Sequence, residues 1–320
     1  MNSQVKKWLG KQPVYRKIRN KSLTGSLPGF QKVPAYDVLN GFFTSLGSSR
    51  ISMRAAAVSF NFFLAVFPSV IFLFTLTAYL PIDDFDLMLL SALKEVLPEF
   101  SYLAVENTIH DIISIQRGGL LSVGFLIAVF YATNGITSLI LSFNAVAVVK
   151  ETRPLWKIRL SALLLTFIVA ILLISAITMM VLTNVGLNYL IEKGIINYDF
   201  NFFLISIGKW IIFYGLIYFT IAFLYYFGPS SSARPRFFST GALLVSFLTV
   251  ILLIGFSFFV GKFGRFNAIY GSVGALIALM VLINLNALLI LAGHEFNAVL
   301  YHLHRQRKKN AQGTEAESRL

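Results

Sequence analysis

The chain has 320 residues, of which 57% are hydrophobic and 13% are charged. Its mean hydropathy of +0.74 is too high for a water-soluble domain. It contains no cysteine, which excludes disulfides, thiolate metal sites and cysteine nucleophiles. The formal net charge is +13, and the basic residues lie beside apolar segments, a position that favours anionic headgroups over nucleic acid as their partner.

The amino-terminal segment is polar and basic and lacks the apolar core of a signal peptide. Three prolines and several glycines and serines predict a flexible basic arm over residues 1–35. Residues 36–53 mix aromatic and aliphatic side chains with polar ones. This mixture predicts a short helix that lies at the membrane interface.

Six later stretches are each long and apolar enough to cross a bilayer, whose core of about 30 Å needs about 20 helical residues. They predict an all-α, polytopic membrane bundle with one membrane domain over residues 36–300 and a basic tail over residues 301–320. The spans lie near 54–80, 119–148, 158–184, 202–228, 237–261 and 270–300.

The loops between these spans differ in length and charge. Loop 81–118 is long and acidic, and its two amphipathic stretches predict helices that cap the bundle or lie on the outer leaflet. Loops 150–157, 228–236 and 262–269 are short, so we expect the spans that they join to be antiparallel neighbours. Opposite orientation of the two halves of the chain would permit an inverted repeat.

The lysine and arginine residues sort to one side of the predicted membrane. Twenty-one of the 27 lie in residues 1–54, the loops after the second and fourth spans, and the tail; five lie on the other side, and Lys209 lies inside the fourth span. Loops rich in Lys and Arg stay in the cytoplasm. Both termini are therefore predicted to be cytoplasmic, as an even number of spans requires.

Polar residues inside the first two spans are predicted to face the bundle interior, because polar groups are costly in hydrocarbon. In the first span Ser59 lies on one face with small residues, and Pro68 interrupts the backbone hydrogen bonds in mid-membrane. In the second span Asn134 lies on a polar face that Asn144 flanks. Such residues are more often interhelical hydrogen-bonding partners than ligands.

The sixth span is polar on two sides, which predicts a central position in the bundle. Asn284 and Glu295 are eleven residues apart and share one helical face, whereas Asn286, Gly293 and Asn297 share roughly the opposite face. A helix of this kind is not suited to lipid on either side.

Glu295 is the one carboxylate within a predicted span, and two interpretations remain open. It is either a carboxylate that couples proton or substrate movement, or one half of a structural ion pair with Arg54 or Arg153. The nearby cations favour the ion pair. Lys209 is expected to extend to the outer surface beside Trp210, with a lipid phosphate as the alternative contact.

Signatures of catalysis are missing from the sequence. No GxSxG, GK[ST] or HExxH pattern occurs, and the four histidines and the cytoplasmic carboxylates are scattered. The sequence therefore predicts no catalytic residue, no metal site and no cofactor.

Three segments together resemble the YihY/virulence factor BrkB family of bacterial inner-membrane proteins, over about residues 40–300. They are Arg54 to Phe60 with Val66-Phe67-Pro68; Asn144 with Arg153-Pro154-Leu155-Trp156-Lys157-Ile158-Arg159-Leu160; and Tyr270-Gly271-Ser272 with Gly293 to Ala298. The resemblance implies a six-span fold in the inner membrane and a motif loop that includes Arg153, Pro154 and Trp156. Family members often carry the label ribonuclease BN, and relatives often have Trp-x-Tyr where this chain has Leu282-Ile283-Asn284.

The favoured functional hypothesis is a non-enzymatic protein that translocates a lipid or another amphiphile without ATP. Its expected partners are membrane lipids and anionic headgroups at the cytoplasmic face, with no nucleic acid. One alternative is a scaffold for envelope assembly, acting through loop 81–118 or as a homo-oligomer. The other is a membrane-anchored ribonuclease that acts through the basic arms.

Overall fold

The computed structural model describes residues 29–30, 33–48, 50–79, 116–146, 151–193, 200–230, 237–261 and 272–317. These residues form seven α-helices, and none of them is in a β-strand. The helices are α1 (Ala35–Ser48), α2 (Ile51–Thr77), α3 (Gly118–Asn144), α4 (Leu155–Glu192), α5 (Phe200–Phe227), α6 (Thr240–Gly261) and α7 (Ser272–Glu317). Most of the basic arm and most of loop 81–118 lie outside the described residues.

Helices α2 to α7 are each long and apolar enough to cross a membrane. They correspond one to one to the six predicted spans, so the prediction of an all-α bundle with six spans is confirmed. The sixth span is longer than predicted, because α7 continues as a helix from the apolar segment to Glu317. Residues 301–317 are therefore an extension of a span.

The six spans form a closed ring in chain order. Each span packs against the next, and α7 returns to pack against α2. The pairs α3 and α4, α5 and α6, and α6 and α7 are neighbours, as the short loops predicted. Helix α7 also contacts α1, α3 and, through Ile290, α5, so it occupies the central position predicted from its two polar faces.

The helix termini lie at the two ends of the bundle, and at one end hydrogen bonds join several of them. Arg54 near the start of α2 bonds to Ser142 near the end of α3, and Asn297 of α7 bonds to Gly241 at the start of α6. Asn144 at the end of α3 bonds to the backbone of Ser230, just after α5. We call this the basic end, because the predicted cytoplasmic segments are attached to it.

The ring packs around an apolar core to which all six spans contribute. Its largest fully buried side chains are Tyr225 and Phe143, whose rings meet edge to face with centroids 5.7 Å apart. The Tyr225 hydroxyl donates a 2.6 Å hydrogen bond to the Ile290 carbonyl oxygen. A buried tyrosine needs such a partner, and this bond fixes α5 against α7.

Helices α6 and α7 approach closely through two glycines. A Cβ atom on Gly241 would collide with the Gly293 carbonyl oxygen, and one on Gly293 would collide with the Val245 side chain and lie 2.6 Å from the Tyr225 hydroxyl oxygen. Small residues allow transmembrane helices to make such backbone contacts. Gly293 therefore sets the distance at which α7 packs on α6.

Helix α1 lies outside the ring and packs along the extension of α7. Its buried side chains join Phe30 and Val33 of the preceding segment in a small core with Phe296 and Leu300. Tyr36, Leu39 and Phe43 are exposed on another face at helical spacing. An apolar stripe of this kind suits the membrane interface, as the sequence predicted for residues 36–53.

We expect Gly293→Ala to destabilise the bundle by about 1–3 kcal/mol, the range typical of overpacking a dense core. The measurement is the melting temperature of the purified protein in detergent. Gly255→Ala is the matched control, because nothing lies within 4 Å of a Cβ atom added there. Equal melting temperatures for the two variants would contradict the close packing of α6 and α7.

Candidate functional site

Residues from each of the three sequence segments that carry the motifs meet at the basic end of the ring. Arg54 comes from the first segment, Asn144 and Arg153 from the second, and Glu295 from the third. They form two adjacent groups. The polar cluster consists of Ser45, Arg54, Ser142 and Glu295; the loop clasp consists of Asn144, Glu151, Arg153, Gly228 and Ser230.

An ion pair between Arg54 and Glu295 lies at the centre of the polar cluster. Arg54 Nη2 is 3.4 Å from Glu295 Oε2, and the two side chains are 16% and 1% exposed. Ser45 of α1 donates a 2.5 Å hydrogen bond to Glu295 Oε1. Arg54 Nη1 donates a 2.8 Å bond to the Ser142 carbonyl oxygen. The cluster therefore joins α1, α2, α3 and α7 through one buried carboxylate and one arginine.

These contacts support the interpretation of Glu295 as one half of a structural ion pair, with Arg54 as the partner. The alternative prediction, that Arg153 is the partner of Glu295, is wrong, because Arg153 binds Glu151 in the loop clasp. The separation of 3.4 Å between Arg54 and Glu295 exceeds the 2.7–2.9 Å usual for charge-assisted bonds. The shorter of the two contacts to Glu295 is the hydroxyl of Ser45 on α1.

The loop clasp holds the ends of three helices around Glu151. Arg153 Nη2 lies 2.7 Å from Glu151 Oε2 and its Nε lies 3.0 Å from Oε1, so the contact is bidentate. Asn144 Nδ2 donates a 2.5 Å bond to Glu151, and its Oδ1 accepts from the Ser230 amide. Arg153 Nη2 also donates to the Gly228 carbonyl oxygen at 2.9 Å. The clasp thus ties α3, α4 and α5 together.

The environment of Glu151 lowers the pKa of its carboxyl group below the ordinary value. The largest cause is the hydrogen bond from the Arg153 side chain, and partial burial opposes it. Hydrogen bonds and a positive charge favour the ionised form of a carboxyl group. Glu151 therefore stabilises the fold above its ordinary pKa, and this contribution is lost as pH falls through the lowered one.

Aromatic packing separates the two groups. The His294 ring stacks on Phe143 with centroids 4.3 Å apart, and it meets Tyr225 edge to face at 5.7 Å. His294 is 3% exposed, and its Nδ1 atom has no hydrogen-bond partner among the described residues. Glu295 and His294 are adjacent in sequence, so the stack holds the turn of α7 that presents Glu295 to Arg54.

The polar residues of α7 face different neighbours. Asn284 donates a 3.0 Å hydrogen bond to Ser59 of α2, on the same face as Glu295. Asn297 on the other side accepts from the Gly241 amide and donates to Ser239. Asn286 differs from the prediction: its side chain bonds to the Leu282 carbonyl oxygen of its own helix and lines a cavity.

An apolar cavity of about 510 Å³ lies between α2, α3, α4 and α7. Its lining includes Ser69, Thr166 and Asn286 among apolar side chains. From Val58 to Val70 of α2 it extends about 18 Å at the helical rise of about 1.5 Å per residue. Val58 lies one turn from Arg54, so the cavity begins one turn from the polar cluster.

The remaining predicted residues lie apart from these groups. Pro68 is inside α2, which continues beyond it to Thr77, and it lies beside the cavity-lining residue Ser69. The prediction that Asn134 faces the bundle interior is wrong: Asn134 and Trp156 line a second cavity, a groove between α3 and α4 on the outside of the ring, and Trp156 is 63% exposed. Pro154 precedes the first turn of α4, where its carbonyl oxygen accepts from Ile158. Lys209 lies 5.8 Å from the Trp210 ring.

The sequence predicted Arg54, Asn144, Arg153 and Glu295 and missed the other five members of these groups. Glu151 had a signal, because it precedes Arg153 by two residues, a spacing at which a bidentate contact forms in a turn. The roles of Ser45 and the Gly228 carbonyl oxygen had none, since they depend on how α1 and α5 pack. Among the described residues, no group of three or more His, Cys, Asp or Glu side chains could hold a metal ion.

The family profile described as Virulence factor BrkB matches residues 42–318. The chain belongs to the virulence factor BrkB family. The ribonuclease-like protein YfkH of Bacillus subtilis (strain 168) is 30% identical over 254 residues, which cover 78% of this chain and 89% of YfkH. No solved structure matches the chain.

The match places this BrkB-family chain among multi-pass membrane proteins and includes every residue of the polar cluster and the loop clasp. It also includes α1 from Phe42 onward and most of the α7 extension. The two groups at the basic end therefore belong to the part of the chain that is related to the family as a whole.

We expect Arg54→Gln to lower stability by about 3 kcal/mol, because it leaves the buried Glu295 carboxylate without its cation. Adding Glu295→Gln should restore part of the loss, since the unpaired charge is then removed. Melting temperatures of the single and double variants in detergent measure this coupling. Arg50→Gln, an exposed neighbour, is the control; a double variant less stable than Arg54→Gln would contradict the pair.

Glu151→Gln should reduce the loss of stability on acidification. In the wild type the clasp weakens as pH falls below about 4.5, the ordinary pKa of Glu151, toward the lowered value. Melting temperatures from pH 6 to pH 3 should therefore fall more steeply for the wild type than for Glu151→Gln. Other carboxylates titrate in both proteins, so the test is the difference between the two curves of melting temperature against pH. Parallel curves would exclude a contribution of Glu151 to the loss of stability in acid.

Proposed function

We propose that this BrkB-family protein moves a lipid or a lipid-like amphiphile through the membrane without ATP. The observation that carries the proposal is the apolar cavity of about 510 Å³ that lies between four spans. Its length of about 18 Å along α2 is more than half of a bilayer core of about 30 Å. Small-molecule sites are concave, mostly apolar and roughly 300–1,000 Å³ in volume, and this cavity lies within that range.

The chemistry of the cavity suits an amphiphile. Apolar side chains line most of it, and its few polar groups are the uncharged Ser69, Thr166 and Asn286. Apolar side chains of this kind give an acyl chain the environment that it has in the bilayer, whereas an ion or a sugar would lose its hydration there. Val70 and Leu173 line the end away from the polar cluster and are 41% and 47% exposed, so that end is open to the surface.

The polar cluster supplies the candidate coupling group. Glu295 lies about one and a half turns beyond the cavity residue Ile290, and Arg54 lies one turn beyond Val58. The pair would close the cavity at the basic end while intact. Release of Glu295 from Arg54 by protonation would open that end, so the carboxylate would serve both as structural partner and as proton carrier.

We further propose that the basic end faces the cytoplasm and that the membrane is the bacterial inner membrane. The support is the excess of Lys and Arg in the segments attached to this end. The chain has no cysteine, so single cysteines can be introduced at exposed sites such as Leu155. Labelling of Leu155→Cys from outside intact cells by an impermeant maleimide would contradict this orientation.

The name of YfkH, a ribonuclease-like protein, favours a competing proposal, a ribonuclease activity. Hydrolysis of RNA usually needs carboxylates that hold metals or a pair of histidines. Among the described residues no group of three or more His, Cys, Asp or Glu side chains could hold a metal ion, and the carboxylates of the two site groups are held by arginines. We therefore propose a non-enzymatic role. Metal-dependent RNA cleavage by the purified protein would favour the ribonuclease, provided that controls show that no contaminating nuclease causes it.

The test of translocation is purified protein in liposomes with fluorescent phospholipids, bleached by an impermeant reductant. Without movement the reductant bleaches only the outer leaflet, so half of the signal remains. Movement of lipid between the leaflets should take the signal below that half. Ala170→Phe, which fills the cavity, should return the signal to that half. Ile171→Phe is the matched control, because Ile171 is 63% exposed and lies outside the cavity lining. A wild-type signal that stays at half would reject passive movement of lipids.

The same liposomes test the role of Glu295. Transport by the wild type should change with pH, and Glu295→Gln should remove that change because its side chain cannot exchange a proton. Asn284→Leu, which removes a polar group from the same face of α7, controls for simple damage to packing. If Glu295→Gln transports with an unchanged pH profile, Glu295 is a structural residue only.

A further inference from the structure

A second cavity lies on the outside of the ring, between α3 and α4, with a volume of about 510 Å³. We call it the α3–α4 groove. Its walls are mostly apolar, and its polar members are Thr133, Asn134, Trp156 and Arg159. The proposed transport cavity lies on the other side of the same helix pair, so the groove is a separate feature that translocation leaves without a role.

The depth of each groove residue follows from one contact between the two helices. Thr133 lies eleven residues before the last residue of α3, and Thr166 lies eleven residues after the first residue of α4. Their hydroxyl oxygens are 3.4 Å apart. Equal offsets in antiparallel helices put Asn144 and Leu155 at the same level. Distances from the basic end can therefore be counted on either helix.

By this count the groove runs from headgroup depth deep into the hydrocarbon. Trp156 and Arg159 lie within about 6 Å of the start of α4, Asn134 lies about 15 Å from the end of α3, and Leu126 about 27 Å. One leaflet of a bilayer contributes about 15 Å of hydrocarbon. The groove is therefore long enough for an acyl chain with its headgroup at Arg159.

The charge at the groove mouth selects the headgroup. No carboxylate of the described residues pairs with Arg159, whereas Arg54, Arg153 and Arg307 each have one. Lys157 adds a second cation 5.4 Å from the Trp156 ring. An arginine beside an amphipathic aromatic ring at headgroup depth suits the phosphate and glycerol region of a lipid.

We propose that the α3–α4 groove is a binding site for an anionic phospholipid of the leaflet at the basic end. Arg159 binds the phosphate, and Trp156 packs against the glycerol region. Thr133 and Asn134 lie farther along, and Leu160, Leu163 and Phe130 contact an acyl chain. The site does not depend on the proposed translocation, because a bound lipid can remain in the groove whether or not the inner cavity carries one.

The test uses purified, delipidated full-length protein in detergent. Dioleoyl phosphatidylglycerol is titrated against the melting temperature, with dioleoyl phosphatidylcholine as the neutral comparison. Wild-type protein should reach half of its stabilisation at a lower concentration of phosphatidylglycerol. Arg159→Gln should raise that concentration about fivefold, the effect of one basic residue on an anionic headgroup. Arg305→Gln, an exposed arginine outside the groove, should leave it unchanged.

A second pair of variants tests the groove itself. Leu163→Trp fills it and should abolish the preference for phosphatidylglycerol, whereas Leu164→Trp, a lipid-facing neighbour that is 59% exposed, should keep it. Each variant must first show wild-type elution and melting without lipid. The proposal is overturned if both Arg159→Gln and Leu163→Trp keep the wild-type preference, or if the wild type does not distinguish the two lipids.

Glycerol 3-phosphate distinguishes a lipid site from a phosphate site. The soluble headgroup should not compete with phosphatidylglycerol at comparable concentrations, because it lacks the chain that the groove contacts. Equal competition would overturn the assignment to a lipid. Binding is measured in detergent without leaflets, so a negative result in the liposome assay leaves this result intact.

Discussion

Hydrocarbon offers no hydrogen-bonding partner, so polar side chains inside the ring must find partners on neighbouring helices. These bonds follow the whole ring, and all but the one from Tyr214 lie at the basic end. Arg54 joins α2 to α3, the loop clasp joins α3, α4 and α5, and Asn297 joins α6 to α7. Tyr214 joins α5 to α6 by donating to the Leu243 carbonyl oxygen, and Glu295 closes the ring through Arg54.

This arrangement explains why polar residues concentrate at one end of an otherwise apolar chain. Tight apolar packing alone gives weak specificity between transmembrane helices, because lipid chains are as apolar as the helix surfaces. Directional bonds at the basic end fix the order and rotation of the helices. The opposite halves of α2, α3 and α4 are then free to enclose a cavity, because their positions are set where they meet the loop clasp and the polar cluster.

The sequence predicted the spans well because hydropathy measures the property that a bilayer selects. It also predicted that α7 is central, since polar residues on two faces of one helix need partners on two sides, and Ser59 and Gly241 supply them. The extension of α7 to Glu317 was missed, because residues 301–317 are polar and hydropathy gives no sign of where a helix ends.

The partner of a polar residue on a neighbouring helix was harder to predict than the helical face on which the residue lies. Arg54 and Arg153 were equally good candidates for Glu295 from sequence, and only the rotation of α2 and the turn before α4 separate them. Asn286 shares a face with Asn297 on a helical wheel but faces a cavity, because α6 covers only part of α7. Ser45 could not be assigned at all, since α1 lies outside the ring.

The wall between the α3–α4 groove and the inner cavity is thin at one depth. Thr133 lines the groove, Thr166 lines the cavity, and the two hydroxyl oxygens are 3.4 Å apart, longer than an ordinary O–H···O bond. A small separation of α3 from α4 at this level would connect the two spaces sideways. A molecule could then pass between membrane and interior without crossing the polar cluster, and a covalent crosslink between positions 133 and 166 would prevent that passage.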